Sequence, residues 1–246
     1  MTLAADNLSL TRGGNMVVSQ VSTALSPGQI TAICGPNGAG KSSLLMGLAG
    51  LLAPAAGSVR LDDVSLSNLS SKERAKSLGY LPQSADIAWD VSVESLIALG
   101  RLPYRDRGET EIEDAIMALA LEELRHRPVS QLSGGERARA LLARVLAGTP
   151  QWILADEPLA ALDLSHQYSL IAHFRGCAKA GQGVVIVLHD LALAMNHADR
   201  VLVLRDGRVV ADGAPAEALS PQNIANGWGV DVEWLGDVGA KALLTR

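Results

Sequence analysis

Gly35-Pro36-Asn37-Gly38-Ala39-Gly40-Lys41-Ser42 has the spacing G-x-x-x-x-G-K-[ST], which marks a backbone loop built to wrap a phosphate. Its flanks are the ones such a loop needs. Ile30-Thr31-Ala32-Ile33-Cys34 before it is a short apolar run with strand character. Ser43-Leu44-Leu45-Met46-Gly47-Leu48-Ala49 after it reads as a buried helix, running to about Leu52. Glycines let the backbone close on an anion, and the free N–H groups of a helix start point at it. Lys41 would reach the β/γ-phosphates and the Ser42 hydroxyl would coordinate Mg²⁺. The competing reading, a glycine-rich turn before a helix, leaves the Lys41-Ser42 pair and the preceding strand unexplained.

A second stretch supports the first. Trp152-Ile153-Leu154-Ala155 is an apolar strand that ends in Asp156-Glu157 before Pro158. Carboxylates at the end of a buried strand are costly unless paired or metal-bound. Beside a phosphate loop, Asp156 would support Mg²⁺ together with Ser42. Glu157, one residue further on, is placed to act as general base on an attacking water. The competing reading is a surface turn with acids before Pro158, and the phosphate loop makes it the weaker one.

A third stretch is Leu132-Ser133-Gly134-Gly135-Glu136-Arg137. Ser133 and Glu136 have the spacing of a capping box that starts a helix. Glycine in a helix costs roughly 1 kcal/mol relative to alanine, so two at its start are a poor choice for stability alone. They make sense where a ligand approaches the backbone closely, at N–H groups backed by the positive end of a helix dipole.

The remaining sequence sets these motifs in an α/β frame. Leu8–Thr11, Met16–Val21 and Val59–Leu61 read as short strands, with turns at Gly13-Gly14-Asn15 and Pro27-Gly28. Leu78–Leu81 is a strand ending at Pro82-Gln83. From about Ser84 to Gly148 the texture is helical, with Ile112, Ala115, Ile116, Leu119 and Ala120 on one face, and Ser133–Ala147 is a further helix. Strands return at Val184–Leu188, Val201–Arg205 and Arg208–Ala211, the last two joined by the hairpin signal Asp206-Gly207, with another around Val230–Leu235. Strands alternating with helices imply a mainly parallel sheet covered by helices, with the helical stretch inserted.

Composition narrows the class. The chain has 246 residues, is 48% hydrophobic and 3% aromatic, and carries a net charge of −5. It is long enough for a substantial core. Its charge argues against a surface for nucleic acid. Two cysteines, Cys34 and Cys177, suggest no disulfide framework and fit a reducing compartment. Residues 42–59 are uncharged but contain Pro54 and three glycines, so they read as a buried helix and turn rather than a membrane span.

Leu132–Glu136 resembles the signature motif of the ATP-binding cassette (ABC) ATPases, and the other motifs fall in that family's order over nearly the whole chain. Gln83 is similar to the family's Q-loop glutamine, Ala161-Leu162-Asp163 to its D-loop, and His189 to its switch histidine. Alone, Gln83 is a post-proline loop residue, and His189 a loop histidine beside Asp190, which would cap the helix from Leu191. The resemblance implies a P-loop NTPase (RecA-like) core with an N-terminal antiparallel β subdomain and an inserted α-helical subdomain. These would be residues 1–84 and 149–246 for the core and 85–148 for the helical part, in a single domain. It implies ATP hydrolysis at a composite site, where two copies pair head to tail. ATP on the loop of one copy, residues 35–43 including Gly38, Gly40, Lys41, Ser42 and Ser43, would be covered by Ser133, Gly135 and Glu136 of the other. His189 would hold the γ-phosphate and the water, and Gln83 would sense Mg²⁺ and the partner. Because one chain carries every motif, a homodimer suffices. The sequence departs from the family at Arg12, which stands where an aromatic usually stacks on adenine. A guanidinium can also stack on a base.

Leu99-Gly100-Arg101-Leu102-Pro103-Tyr104 and Asp163-Leu164-Ser165-His166-Gln167 resemble importer cassettes for iron-siderophore, haem and cobalamin uptake. Arg101, Tyr104, Arg105 and Arg107 read equally as a solvated basic loop and as a docking edge for a membrane subunit. His166 is expected to pack against its neighbours, and the five histidines show no metal-ligand spacing. The resemblance implies two polytopic permease subunits, a substrate-binding protein that delivers cargo, and a peripheral position on the cytoplasmic face of the inner membrane. Iron chelate leads as cargo, followed by haem and cobalamin. The alternative is a soluble ABC ATPase that drives assembly, as in iron–sulfur cluster biogenesis.

Overall fold

The computed structural model describes residues 2–83, 90–160 and 162–245. Its strands and helices follow in the order β1 (Leu3–Arg12), β2 (Asn15–Leu25), β3 (Ile30–Cys34), α1 (Lys41–Leu48), β4 (Ala56–Leu61), β5 (Val64–Ser65), α2 (Ser71–Ser77) and β6 (Leu78–Leu81). Next come α3 (Val93–Ala98), α4 (Glu109–Ala118), α5 (Gly134–Ala147), β7 (Trp152–Asp156), α6 (Leu164–Lys179) and β8 (Gly183–Val187). The chain continues with α7 (Leu191–His197), β9 (Arg200–Arg205), β10 (Arg208–Gly213), α8 (Pro215–Ala218), α9 (Pro221–Trp228), β11 (Val232–Leu235) and β12 (Ala242–Thr245).

Among the described residues, six strands form one sheet in the order β10-β9-β3-β8-β7-β6. All its pairs are parallel except the β9–β10 hairpin, in which Arg205 faces Arg208 across Asp206-Gly207. Every residue of β3, β7 and β8 is buried, as expected for parallel strands covered on both faces. Alternation then divides their side chains between two cores. Ala32, Cys34, Ile153, Ala155, Val184 and Ile186 face the helices α3 to α7. Ile33, Trp152, Leu154, Val185 and Val187 face α1 and the antiparallel sheet β2-β1-β4-β5. The α/β architecture with an antiparallel N-terminal layer is thus the expected one.

Several boundaries differ from expectation. The helix after the phosphate loop is α1, and it stops at Leu48 rather than near Leu52. Strands β1 and β2 extend well beyond Leu8–Thr11 and Met16–Val21, because pairing each with the other satisfies backbone groups that the short apolar runs do not reveal. Leu119 and Ala120 lie beyond α4, although Leu119 stays in the core. The expected membership of Ser84–Trp89 in the helical stretch, of Ala161 in the D-loop, and of Met1 and Arg246 in the core falls outside the described residues.

The basic loop after α3 is also corrected in part. Arg105 and Arg107 are exposed, but Arg101 is buried. Its guanidinium pairs with Asp106 and Glu111, donates to the Ala147 carbonyl and lies 3.9 Å from the centre of the Tyr104 ring. Lys76 stands 4.6 Å from the same ring, and the Tyr104 hydroxyl donates to the Gly148 carbonyl. Arg101 and Tyr104 therefore fasten the loop to the end of α5 and to α2.

Among the described residues no helix is long and apolar enough to cross a membrane. Cys34 is fully buried, and burial pushes its thiol up to about 12.

Candidate functional site

The parallel register brings four chain segments to one edge of the sheet. Ile33 and Asp156 both pair with Val187, and Leu81 pairs with Ala155. The loops leaving β3, β6, β7 and β8 therefore emerge together at the carboxyl ends of the strands, where open α/β sheets bind ligands.

The loop after β3 is the phosphate loop, and its glycines are fixed by contact as well as by conformation. A Cβ on Gly35 would lie 2.2 Å from the Leu204 carbonyl oxygen, and one on Gly40 would lie 2.3 Å from that of Val17. Gly40, at φ 97°, also sits in the left-handed region just before α1. Lys41 is buried, and its Nζ donates to the carbonyls of Gly35 (2.9 Å) and Pro36 (3.0 Å). Burial pulls the ammonium below the usual lysine range, and Glu157, Cys34 and Asp156 pull it back up.

Asp156 ends β7 and is buried. It accepts from the Ser42 hydroxyl at 2.9 Å. Burial raises its carboxyl, the Ser42 bond lowers it, and the neighbouring Glu157 raises it again. A buried carboxylate next to a hydroxyl, both hard oxygen donors, is a set that suits Mg²⁺. Tyr80 of β6 also hydrogen-bonds Asp156. Burial, and then the Asp156 charge, push the Tyr80 phenol up to about 12. The sequence reading passed over Tyr80. Alternation along β6 puts it on the same side as Leu78, toward α1, and that pattern was the available signal.

Glu157 adopts φ 46°, a left-handed conformation that costs a non-glycine residue roughly 1–2 kcal/mol. Such strain concentrates at functional positions. The Glu157 carboxylate is clasped on both sides. Its Oε2 accepts from Gln83 Nε2 and its Oε1 lies against His189 Nε2, each at 2.5 Å. Gln83, Glu157 and His189 thus form one cluster contributed by the loops after β6, β7 and β8. Beside His189, Asp190 caps α7 by accepting from the N–H groups of Ala192 and Leu193.

A cavity of about 270 Å³ opens over the phosphate loop. Arg12, Val17, residues 37–43, Glu157 and His189 line it. Arg12 accordingly shares a chamber with the loop. Replacing Arg12 by Ala is expected to weaken nucleotide binding about two- to fivefold, the worth of an exposed cation–π contact. An unchanged titration curve would remove Arg12 from the adenine side of the site.

Ser133, Gly135 and Glu136 do not line that cavity. They open α5 as the sequence suggests. Ser133 Oγ accepts from the Glu136 N–H at 3.3 Å, and a Glu136 carboxylate oxygen accepts from the Ser133 N–H at 2.7 Å. Hydrogen bonds from Ser133 hold the Glu136 carboxyl below its usual range. The helix start is well capped and lies outside the cavity over the chain's own phosphate loop. Among the described residues no cluster of His, Cys, Asp and Glu could hold a metal by side chains of those types alone.

Residues 18–160 match the family described as ABC transporter. The chain is 42% identical over 95% of its length to the hemin import ATP-binding protein HmuV of Rhodococcus jostii (strain RHA1), and covers 82% of that protein. It is 43% identical over 94% of its length to the hemin import ATP-binding protein HmuV of Pseudomonas fluorescens, and covers 93% of it. Among solved structures it resembles the dimeric post-hydrolysis state of the ATP-binding cassette MJ0796 bound to ADP and Pi. That match has a TM-score of 0.78 at 26% identity, covering 87% of this chain and 98% of the other.

Proposed function

From the fact that this chain belongs to the ABC transporter family, as an ATP-hydrolysing ATP-binding subunit of an importer, we propose that the cargo it energises is hemin. The observation that carries the cargo is the 42–43% identity, across nearly the whole chain, to proteins named for hemin import. The earlier ordering, with iron chelate ahead of haem, is reversed on that ground. The same relatives leave the assembly-machine reading without support.

In this reading the working unit is two copies of the chain beneath two membrane permease subunits. ATP lies on residues 35–43 of one copy, with Lys41 at the β/γ-phosphates and Arg12 at the base. Ser133, Gly135 and Glu136 of the second copy form the lid. Ser42, Asp156 and Gln83 would hold Mg²⁺, which supplies positive charge against the phosphate oxygens. Glu157 takes the proton from the attacking water. Gln83 and His189, which hold the Glu157 carboxylate between them, would act on Mg²⁺ and on the γ-phosphate respectively. Most of the acceleration then comes from positioning and charge. We read residues 85–148 as the subdomain that carries the lid, and Arg105 and Arg107 as part of the edge that meets the permease. A substrate-binding protein would deliver hemin from the far side of the membrane.

Two measurements test this. Extracted in detergent, the tagged chain is expected to bring down a polytopic membrane protein, and its absence would remove the transport reading. A strain lacking the chain is expected to lose growth on hemin as sole iron source while keeping growth on a ferric siderophore. Unimpaired growth on hemin would overturn the cargo.

A further inference from the structure

We propose that His166 is a positioning residue for the lid, its ring holding Gly135 at the height where the α5 N–H groups can meet a nucleotide. The proposal rests on reading Ser133, Gly135 and Glu136 as the cover over a partner copy's ATP.

The starting observation is a close approach between residues 31 positions apart in the chain. A Cβ on Gly135 would stand 3.2 Å from both Cδ2 and Cγ of His166 and 3.4 Å from its Nδ1. The imidazole therefore lies closely against Gly135, near enough that a Cβ there would press on the ring. The ring is held at Nδ1. Asp163, which caps α6, accepts the His166 N–H at 2.9 Å and lies 2.7 Å from His166 Nδ1 through the same oxygen. With Asp163 ionised, that contact places the imidazole proton on Nδ1.

The adjoining residue extends the anchorage. Gln167 Nε2 donates to the carbonyls of Leu159 (3.2 Å) and Leu162 (3.1 Å), both buried in the core. The Ala160 N–H in turn donates to the Glu157 carbonyl at 3.3 Å. Gln167 is thus tied back to Leu159 and Leu162, and Ala160 to Glu157, while the His166 ring stands against the start of α5.

Physical need matches this placement. Gly134-Gly135 has no side chains to pack, and glycine is the residue with the most backbone freedom to lose. N–H groups act as an anion site only when fixed in direction. The Ser133–Glu136 capping box fixes one side of the turn. The His166 ring supplies the other. A side chain that merely filled surface would not be tied to Asp163 while seated on the one glycine where a ligand must approach.

The test uses the full chain in the Glu157→Gln background, where an ATP-bound dimer should persist, read by sedimentation velocity at saturating ATP. His166→Ala is expected to raise the dimer dissociation constant at least about tenfold. Binding of a fluorescent ATP analogue to dilute, monomeric protein should stay within about twofold, since the phosphate-loop cradle is untouched. His166→Phe, which keeps a ring but loses the Nδ1 contact with Asp163, should recover part of the loss, to within about fivefold of the parent dimer constant, whereas His166→Gln should recover none. With Glu157 restored, His166→Ala activity should recover at higher protein concentration, which a fold defect would not do. A parent dimer that His166→Ala and His166→Gln leave unchanged, or a His166→Phe chain as weak as His166→Ala, overturns the role of the ring. No dimer in the parent overturns the lid reading, and the proposal with it. Should His166→Ala fail to fold, the comparison of His166→Gln with His166→Phe decides the question.

Discussion

Glu157→Gln should bind ATP with near-native affinity and hydrolyse it about 10²–10⁴-fold more slowly, the range a positioned general base contributes. The substitution preserves almost everything except basicity. Glutamine has the shape of glutamate, so the turn at φ 46° is asked to hold a side chain of the same size. Its amide oxygen can still accept from Gln83 Nε2, and its NH₂ group can donate to His189 Nε2 if the imidazole takes the Nδ1–H tautomer. The clasp therefore survives, with only the His189 contact reversed in direction. The ability to take a proton from water does not survive. Trapping follows: ATP closes two copies, and the closed form cannot be discharged by hydrolysis. A dimer eluting from size exclusion only with ATP, together with a collapsed turnover rate, would support the assignment. Turnover at the native rate would remove Glu157 as the base.

Much of this site could be read from the chain because its chemistry is local. The phosphate loop, its strand and its helix are contiguous, although the contacts that require glycine at 35 and 40 come from Leu204 and Val17, far along the chain. The apolar run ending in Asp156-Glu157 is equally local, and the Asp206-Gly207 hairpin forms where its dipeptide says. What sequence did not reveal depends on distant partners. Arg101 reads as a solvated base until the loop folds back to set Asp106 and Glu111 on its guanidinium and the end of α5 brings the Ala147 carbonyl to it. Tyr80 gains its meaning from β7, its parallel neighbour, across which Asp156 waits. Strand β12 exists because β11 offers it an edge, and its own residues are largely exposed. Helix α6 is a different case. Leu170, Ile171, Phe174 and Ala178 are spaced for one buried helical face, a signal present in the sequence but masked by the polar start Ser165-His166-Gln167. The left-handed φ of Glu157 has no signature in sequence at all. Non-glycine residues are held there by surrounding structure, here by the clasp of Gln83 and His189.

Lys41→Ala should abolish measurable hydrolysis and weaken ATP binding about ten- to hundredfold, the worth of a charge-assisted hydrogen bond of about 1.5–3 kcal/mol. Two separate losses produce this. The first is the ammonium itself, the cation in the phosphate loop, which stands between the Gly35 and Pro36 carbonyls and the acids at the end of β7. Without it, the triphosphate would meet Asp156 and Glu157 with no opposing positive side chain in the loop. The second is the shape of the loop. Lys41 Nζ donates to the carbonyls of Gly35 and Pro36; Pro36 keeps the Ala39 N–H, but truncation leaves the Gly35 carbonyl without that donor, at a cost of about 1–3 kcal/mol for a buried polar group. That cost should lower the melting temperature of the nucleotide-free chain by about 2–4 °C per kcal/mol for a protein of this size. Nucleotide dependence separates the two effects. If Lys41 works at the β/γ-phosphates, affinity for AMP should barely change while affinity for ATP falls. If its role were only to shape the loop, both should fall together. The double variant Lys41→Ala/Glu157→Gln should also fail to dimerise at ATP concentrations that saturate Glu157→Gln. A dimer formed by that double variant at the same concentrations would mean that the closed state does not depend on Lys41. The charge that holds the terminal phosphates would then have to come from elsewhere.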